Sequence, residues 1–242
     1  FTLPANLVRV DIAEDQLARG ARPALAIQAD IGCFLQDMLA DSKSWTRPPS
    51  DSSARAAALR ELASAEIGDS YLGHIDLLQE IWQALPEATL VGDSTQLVYA
   101  GNMYVAAPRP ASWFNSATGF GTLGYAAPGA IGAALGDPAR PVVALLGDGG
   151  FQFTLAELGS ARDCNADVAF LVWNNSGYME IETSMEASEI TPIGVTPSAP
   201  DFSAVAAAYG LPSRRVSSRE ALISALKDLP RPCLIEFVDG FG

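Results

Sequence analysis

Two short stretches concentrate the residues that could do chemistry. In LLGDGGF (145–151), Asp148 stands between glycines on both sides. Such glycines let the backbone turn sharply and come close to a ligand. Amides at a turn that feeds a helix make an anion site. A carboxylate beside a phosphate-binding turn needs a cation between the two negative charges. Mg²⁺ suits that place, because it prefers oxygen ligands and phosphate company. The second stretch, Asn174-Asn175-Ser176-Gly177, ends the next apolar run. It offers the Asn175 amide oxygen and the Gly177 carbonyl as neutral ligands. Either stretch alone also reads as a tight loop or a β-turn. Twenty-four residues lie between Gly149 and Asn174, enough for one helix (154–163) and one strand (167–173) to reach a neighbouring strand end.

The elements that must position these residues follow from periodicity. Apolar runs at 89–93, 141–148, 167–175, 213–216 and 232–238 read as strands, and continuous apolar strands imply a parallel sheet covered on both faces. Helices are expected at 31–40, 54–67 and 74–85, with a polar linker at 41–53. Thr154-x-x-Glu157, with Phe153 and Leu158 as a staple, and Ser217-x-x-Glu220 read as capping boxes. Asp201 caps a helix that Gly210 stops. The alternation predicts an α/β fold: an open, doubly wound, mainly parallel sheet with helices on both faces. In such a fold ligands sit beyond the strand ends, here Gly92-Asp93-Ser94-Thr95 together with the two stretches above. Residues 1–40 supply only two strands (7–12, 24–30) and a helix, and read as the last part of a domain.

Composition prunes the alternatives. The chain has 242 residues and a net charge of −13, a poor match to phosphate-contacting nucleic-acid binders. No apolar run reaches membrane-spanning length and no signal-peptide layout opens the chain. One histidine, His74, and three scattered cysteines argue against a His/Cys zinc site. The cysteines, Cys33, Cys164 and Cys233, read as small buried hydrophobes in a reducing, cytoplasmic compartment. His74 reads as a packing residue. GFGTLG (119–124) has the letters of a dinucleotide fingerprint, but no apolar parallel strand of the usual kind leads into it.

GDG followed by about two dozen residues and NN resembles the signature of thiamine-diphosphate enzymes, in which it binds Mg²⁺ and the cofactor's diphosphate. GFGTLGYAAPGAIGAALGDP (119–138) resembles the glycine-rich helix start of the acetolactate synthase and pyruvate decarboxylase superfamily. The resemblance implies thiamine diphosphate and Mg²⁺ as cofactors, with Asp148, Asn175 and Gly177 on the metal. It implies that the Gly121 carbonyl and the Leu123 amide hold the aminopyrimidine, while the Leu123 side chain keeps the cofactor bent. Ser94, Thr95, Gly149, Gly150, Gly177 and Tyr178 complete the implied cofactor contacts, with Ser94 also open to a plain N-cap role.

The resemblance covers nearly the whole chain but only about the C-terminal half of a family member. It implies that residues 1–48 are the tail of a middle domain plus linker, and that 49–242 bind the diphosphate and metal. It implies a homodimer or homotetramer in which a partner subunit's pyrimidine-binding domain supplies the activating glutamate, so that the isolated chain is inactive. The implied reaction is decarboxylation of a 2-oxo acid. Decarboxylases of this family often carry a glutamate three residues after the position of Tyr178; here that residue is Ile181, flanked by Glu180 and Glu182. These two are the catalytic candidates, unless Glu180, Glu182, Glu186 and Glu189 form only a solvated acidic face. The combination GDST with NNSGY is similar to members acting on basic-tailed substrates such as 5-guanidino-2-oxopentanoate. An acetolactate synthase-like carboligase is the alternative, although VGDSTQLVYAGN (91–102) lacks the Gln-His-Gln-type stretch usual there. A binding-only fragment is the other.

Overall fold

The computed structural model describes residues 3–46 and 51–238. The chain divides into two compact units, Phe1–Arg55 and Ala56–Gly242. The boundary expected at 48/49, and the middle of the expected linker, lie outside the described residues.

In the first unit, β1 (Val8–Asp11) and β2 (Leu25–Gln28) pair in parallel, Val8 opposite Leu25 and Asp11 opposite Gln28. The one-turn helix α1 (Glu14–Leu17) connects them, and α2 (Ile31–Asp41) follows. Asp30 caps α2 by accepting from the Cys33 amide at 3.0 Å. None of these elements buries a residue fully, and Leu25, Ile31, Leu35 and Leu39 are exposed. Helix α3 (Ser52–Glu66) spans the unit boundary.

The second unit opens with α4 (Asp69–Ala84) and is built on six parallel strands. They are β3 (Thr89–Gly92), β4 (Trp113–Asn115), β5 (Val142–Gly147), β6 (Val168–Asn174), β7 (Ser213–Val216) and β8 (Cys233–Val238). Their spatial order is β4-β3-β5-β6-β8-β7. The connections carry α5 (Gln96–Tyr104), α6 (Ala126–Gly136), α7 (Asp148–Phe151), α8 (Glu157–Asp163), α9 (Met179–Ala187), α10 (Phe202–Ala208) and α11 (Arg219–Asp228). Side chains alternate across the sheet, as the period of two requires. Val143, Leu145, Leu171, Trp173 and Ile235 pack under α4, α5 and α11. Val142, Ala144, Leu146, Phe170 and Val172 pack under α6, α8 and α10. This is the doubly wound sheet expected from the continuous apolar runs.

The connectivity creates the site. From β3 the chain moves outward to β4, then returns past β3 to β5. The segments leaving β3 and β5 therefore diverge and leave a crevice at their C-terminal ends, where ligands bind in open α/β sheets.

Several local expectations need correction. Strand β4 was not foreseen, and it leads toward the 119–124 loop through a short 3₁₀ turn, Ser116–Thr118. Neither capping box forms as expected. The Thr154 hydroxyl instead donates to the Gly124 carbonyl at 3.1 Å, Ala156 occupies the N-cap of α8, and Phe153 is exposed. Ser218, not Ser217, caps α11, accepting from the Ala221 amide at 3.2 Å. Asp201 does cap α10, accepting from the Ala204 amide at 2.9 Å. Cys33 and Cys164 are exposed, and only Cys233 is buried. Burial pushes its thiol up to about 11, which leaves it an inert packing group. His74 is buried in α4 with its ring edge-on to Trp173, centroids 5.1 Å apart. Among the described residues no helix is long and apolar enough to cross a membrane.

Candidate functional site

A cavity of about 280 Å³ occupies the crevice. Three strand ends and the 119–124 loop wall it: Ser94, Thr95 and Gln96 after β3; Asp148, Gly149 and Gly150 after β5; Asn175, Gly177 and Tyr178 after β6; Gly121 and Leu123 from the loop. Tyr99 from α5 and Met179, Glu180 and Ile181 from α9 close the remaining side. All of the cofactor-contact and metal candidates named from the sequence therefore line one cavity. Of the two catalytic candidates, Glu180 lines it and Glu182 does not.

Asp148 opens α7 directly from β5 and is 1% exposed. Burial raises its carboxyl above the ordinary aspartate value, and nearby backbone amides, Gly149's foremost, oppose that. Its Oδ2 is buried with no hydrogen-bond partner. The Asn175 amide has two orientations. In one, its nitrogen faces the Gly177 carbonyl at 3.0 Å and Asp148 Oδ1 at 3.2 Å. In the other, that nitrogen donates to Gln96 Oε1 at 3.1 Å, and the amide oxygen joins those of Asp148 and Gly177. The second orientation presents three oxygens to one point. A cation is what makes that arrangement favourable, and a single carboxylate with neutral oxygens is the donor set Mg²⁺ takes when phosphates complete its shell. Among the described residues no group of three or more His, Cys, Asp or Glu side chains offers a rival metal site.

Glycine is required where backbone forms the wall. A Cβ at Gly149 would be driven into the Tyr178 ring. One at Gly177 would meet the Val195 carbonyl at 2.8 Å, the same carbonyl that accepts from the Tyr178 amide. These glycines leave amides and carbonyls bare toward the cavity, a cradle fit for a diphosphate. Leu123 is half-buried, belongs to neither core cluster and leans over Gly150. It lines the cavity and is not a core leucine. The Ser94 hydroxyl lies 3.4 Å from the Gly121 carbonyl, and Thr95 takes the N-cap position of α5 without a side-chain bond.

Three residues the sequence reading undervalued complete the site. Asp93 is fully buried and bonds the amides of Ser94 (2.9 Å) and Gly124 (2.7 Å), clasping the end of β3 to the glycine-rich loop. Burial raises its carboxyl, with those two amides opposing. Its signal was an acid terminating a buried strand at the switch point. Gln96 reaches Asn175 across the cavity, with no signal in the sequence. Glu236 lies inside β8, a run read as apolar throughout, and bonds Asn174.

Residues 93–237 match the family described as thiamine pyrophosphate enzyme, C-terminal TPP binding domain. The chain belongs to this family. The proteins it resembles include a probable 2-ketoarginine decarboxylase of Pseudomonas aeruginosa, 36% identical over 91% of this chain and 40% of that protein. The acetolactate synthase large subunit of Cyanidium caldarium is 26% identical over 98% of this chain and 43% of that protein. The 4-hydroxybenzoylformate decarboxylase of Rhodococcus jostii has the same fold, with a TM-score of 0.75 and 23% identity over 98% of this chain and 44% of the other. The chain thus spans about two fifths of the length of these relatives.

Proposed function

We propose that this chain is the diphosphate- and Mg²⁺-binding part of a thiamine-diphosphate-dependent decarboxylase of 2-oxo acids with a basic tail, such as 5-guanidino-2-oxopentanoate. The observation that carries the cofactor reading is the meeting of the Asn175 amide with the Gly177 carbonyl at 3.0 Å and Asp148 Oδ1 at 3.2 Å, beside a buried, unpartnered Asp148 Oδ2. Asp148, the Asn175 side chain and the Gly177 carbonyl hold Mg²⁺. The bare backbone at Gly149 and Gly150, with Ser94 and Thr95 opposite, holds the diphosphate. Leu123 props the cofactor's rings. When bound, thiamine diphosphate supplies the nucleophilic carbon and the electron sink that loss of CO₂ from a 2-oxo acid needs.

The substrate reading rests on Glu180 and on the 36% identity to a probable 2-ketoarginine decarboxylase. Glu180 and Tyr99 both line the cavity, and a site that offers a carboxylate and an aromatic ring suits a planar guanidinium. Glu180 binds and orients the tail. It sits in the first turn of α9. Glu182, off the cavity, has no part in this. The acetolactate synthase relative favours a second reading, carboligation between two small 2-oxo acids. The complete assembly is a homodimer or homotetramer whose neighbouring subunit contributes the pyrimidine-binding domain.

The test is a substrate comparison on the full-length protein. 5-Guanidino-2-oxopentanoate should be decarboxylated in preference to pyruvate and benzoylformate. Glu180→Gln should raise its KM by about tenfold or more, the loss of one charged hydrogen bond, with thiamine diphosphate affinity unchanged. Formation of acetolactate from pyruvate as the main product would favour the second reading.

A further inference from the structure

Strand β8 lies between β6 and β7 and is covered on both faces, so its run should be apolar. Glu236 breaks the run and is only 4% exposed. A carboxylate so placed needs partners. On β7, Arg215 stands in register with it, Nε 3.6 Å from Oε2. On β6, Asn174 projects on the same face, by the period of two, and its Nδ2 donates to Glu236 Oε1 at 2.7 Å.

The second bond carries the consequence. The other end of the Asn174 amide, Oδ1, accepts from the Ser176 backbone amide at 3.0 Å. With an acceptor at one end and a donor at the other, the orientation of this amide is fixed by its partners. Ser176 is held at φ +66°, a left-handed conformation uncommon for a residue with a side chain. On either side of that reversal, the Asn175 amide lies 3.0 Å from the Gly177 carbonyl and 3.2 Å from Asp148 Oδ1. Glu236 touches nothing in the cavity, yet it stands two hydrogen bonds from the turn that presents two of the three converging oxygens.

We propose that Glu236 is a positioning residue for the Mg²⁺ site, acting through Asn174 to hold the 175–177 turn in its ligating form. This rests on the reading of Asp148, Asn175 and Gly177 as metal ligands. The feature that matters is the acceptor oxygen rather than the charge. Arg215 is 64% exposed, and an ion pair with so exposed a partner is weak. A glutamine at 236 keeps the acceptor; a leucine removes it and leaves the Asn174 Nδ2 buried and unbonded.

The experiment is calorimetric titration of Mg²⁺ into the full-length protein with thiamine diphosphate in excess, together with the thermal midpoint of each metal-free variant. Glu236→Leu should weaken Mg²⁺ binding by about 10- to 100-fold, the usual effect of losing an outer-shell partner. Glu236→Gln and Arg215→Ala should change it by less than about fivefold. Asn174→Ala should lose as much as Glu236→Leu, and the double variant no more than either, because both break one chain of bonds. If Glu236→Leu does not fold, Asn174→Ala and Glu236→Gln carry the test. Native Mg²⁺ affinity in Glu236→Leu or Asn174→Ala, with only a lowered midpoint, would overturn the proposal. So would a Glu236→Gln variant as impaired as Glu236→Leu. Asp148→Ala is the control: if it too binds Mg²⁺ normally, the metal-site reading has failed; if it alone loses Mg²⁺, only the role of Glu236 has.

Discussion

At the scale of single residues, two aspartates carry a cost that the site explains. Asp148 is buried with one oxygen unpartnered, so its charge weakens the folded state until a cation arrives. Asp148→Asn should therefore stabilise the metal-free protein, by roughly 1–3 kcal/mol, while it removes the anionic ligand. Thermal unfolding with and without Mg²⁺ and thiamine diphosphate shows both effects. At about 100 times the dissociation constant the native protein should gain ~2.7 kcal/mol from its ligands and the variant almost none. Asp93 titrates in the same direction and for the same first reason, burial. Burial holds its carboxyl above the ordinary value of 3.8, despite the Ser94 and Gly124 amides. A raised folded-state pKa means the folded state favours the protonated acid. That contribution is fully present below the unfolded-state value and is lost as pH rises through the folded-state one. The stability of the native protein relative to Asp93→Asn should accordingly be greatest in acid and fall as pH rises through that interval. Urea unfolding across the acid range measures it, and the opposite slope would mean that the two amides outweigh burial.

At the scale of elements, what the sequence made legible was whatever periodicity encodes. The buried strands β5, β6 and β8 are long apolar runs, and their ends delivered Asp148 and Asn175 to the right place. Strand β4 was illegible because three residues are too few to show a period, although Trp113 and Phe114 favour strands. Three residues form an edge held by side chains from elsewhere. Trp113 packs 6.0 Å from Trp82, its Nε1 donates to Asn102 Oδ1 at 3.0 Å, and its ring covers Gly101 of α5. The capping boxes failed for a related reason: Thr154 was recruited by the Gly124 carbonyl, a long-range partner no local pattern contains. Glu236 and Gln96 were missed because each acts on a neighbour distant in sequence. Gly101 gives this packing a test. Alanine there would gain ~1 kcal/mol of helix propensity. Its Cβ would lie 2.5 Å from the Trp113 ring and 2.9 Å from Leu78 Cδ1, and overpacking a rigid core costs about 1–3 kcal/mol. The packing term wins, so Gly101→Ala should lower the urea midpoint. A raised midpoint would show that β4 is loosely held and that Trp113 moves aside freely.

At the scale of the whole molecule, the cavity holds the groups that bind a cofactor but not one that would activate its ring. Deprotonation of C2 in thiamine diphosphate requires the 4′-imino tautomer of the pyrimidine, which is favoured when a carboxylate shares a proton with N1′. Among the described residues, the carboxylates at this site are already committed. Asp93 is fully buried and gives both oxygens to backbone amides. Asp148 belongs to the converging oxygens. Glu180 stands on the α9 wall, where the substrate tail is proposed to bind. The resemblance to thiamine-diphosphate enzymes assigns the activating glutamate to the pyrimidine-binding domain of a partner subunit. The chain of 242 residues should therefore bind thiamine diphosphate with Mg²⁺ yet exchange its C2 proton no faster than the free cofactor does. Exchange into deuterium oxide, stopped by acid and read by NMR, gives the rate directly, and a calorimetric titration on the same sample proves that the cofactor is bound. Addition of the pyrimidine-binding domain should restore rapid exchange. Rapid exchange without it would require Glu180 to reach N1′, and would move that residue from recognising the substrate to activating the cofactor.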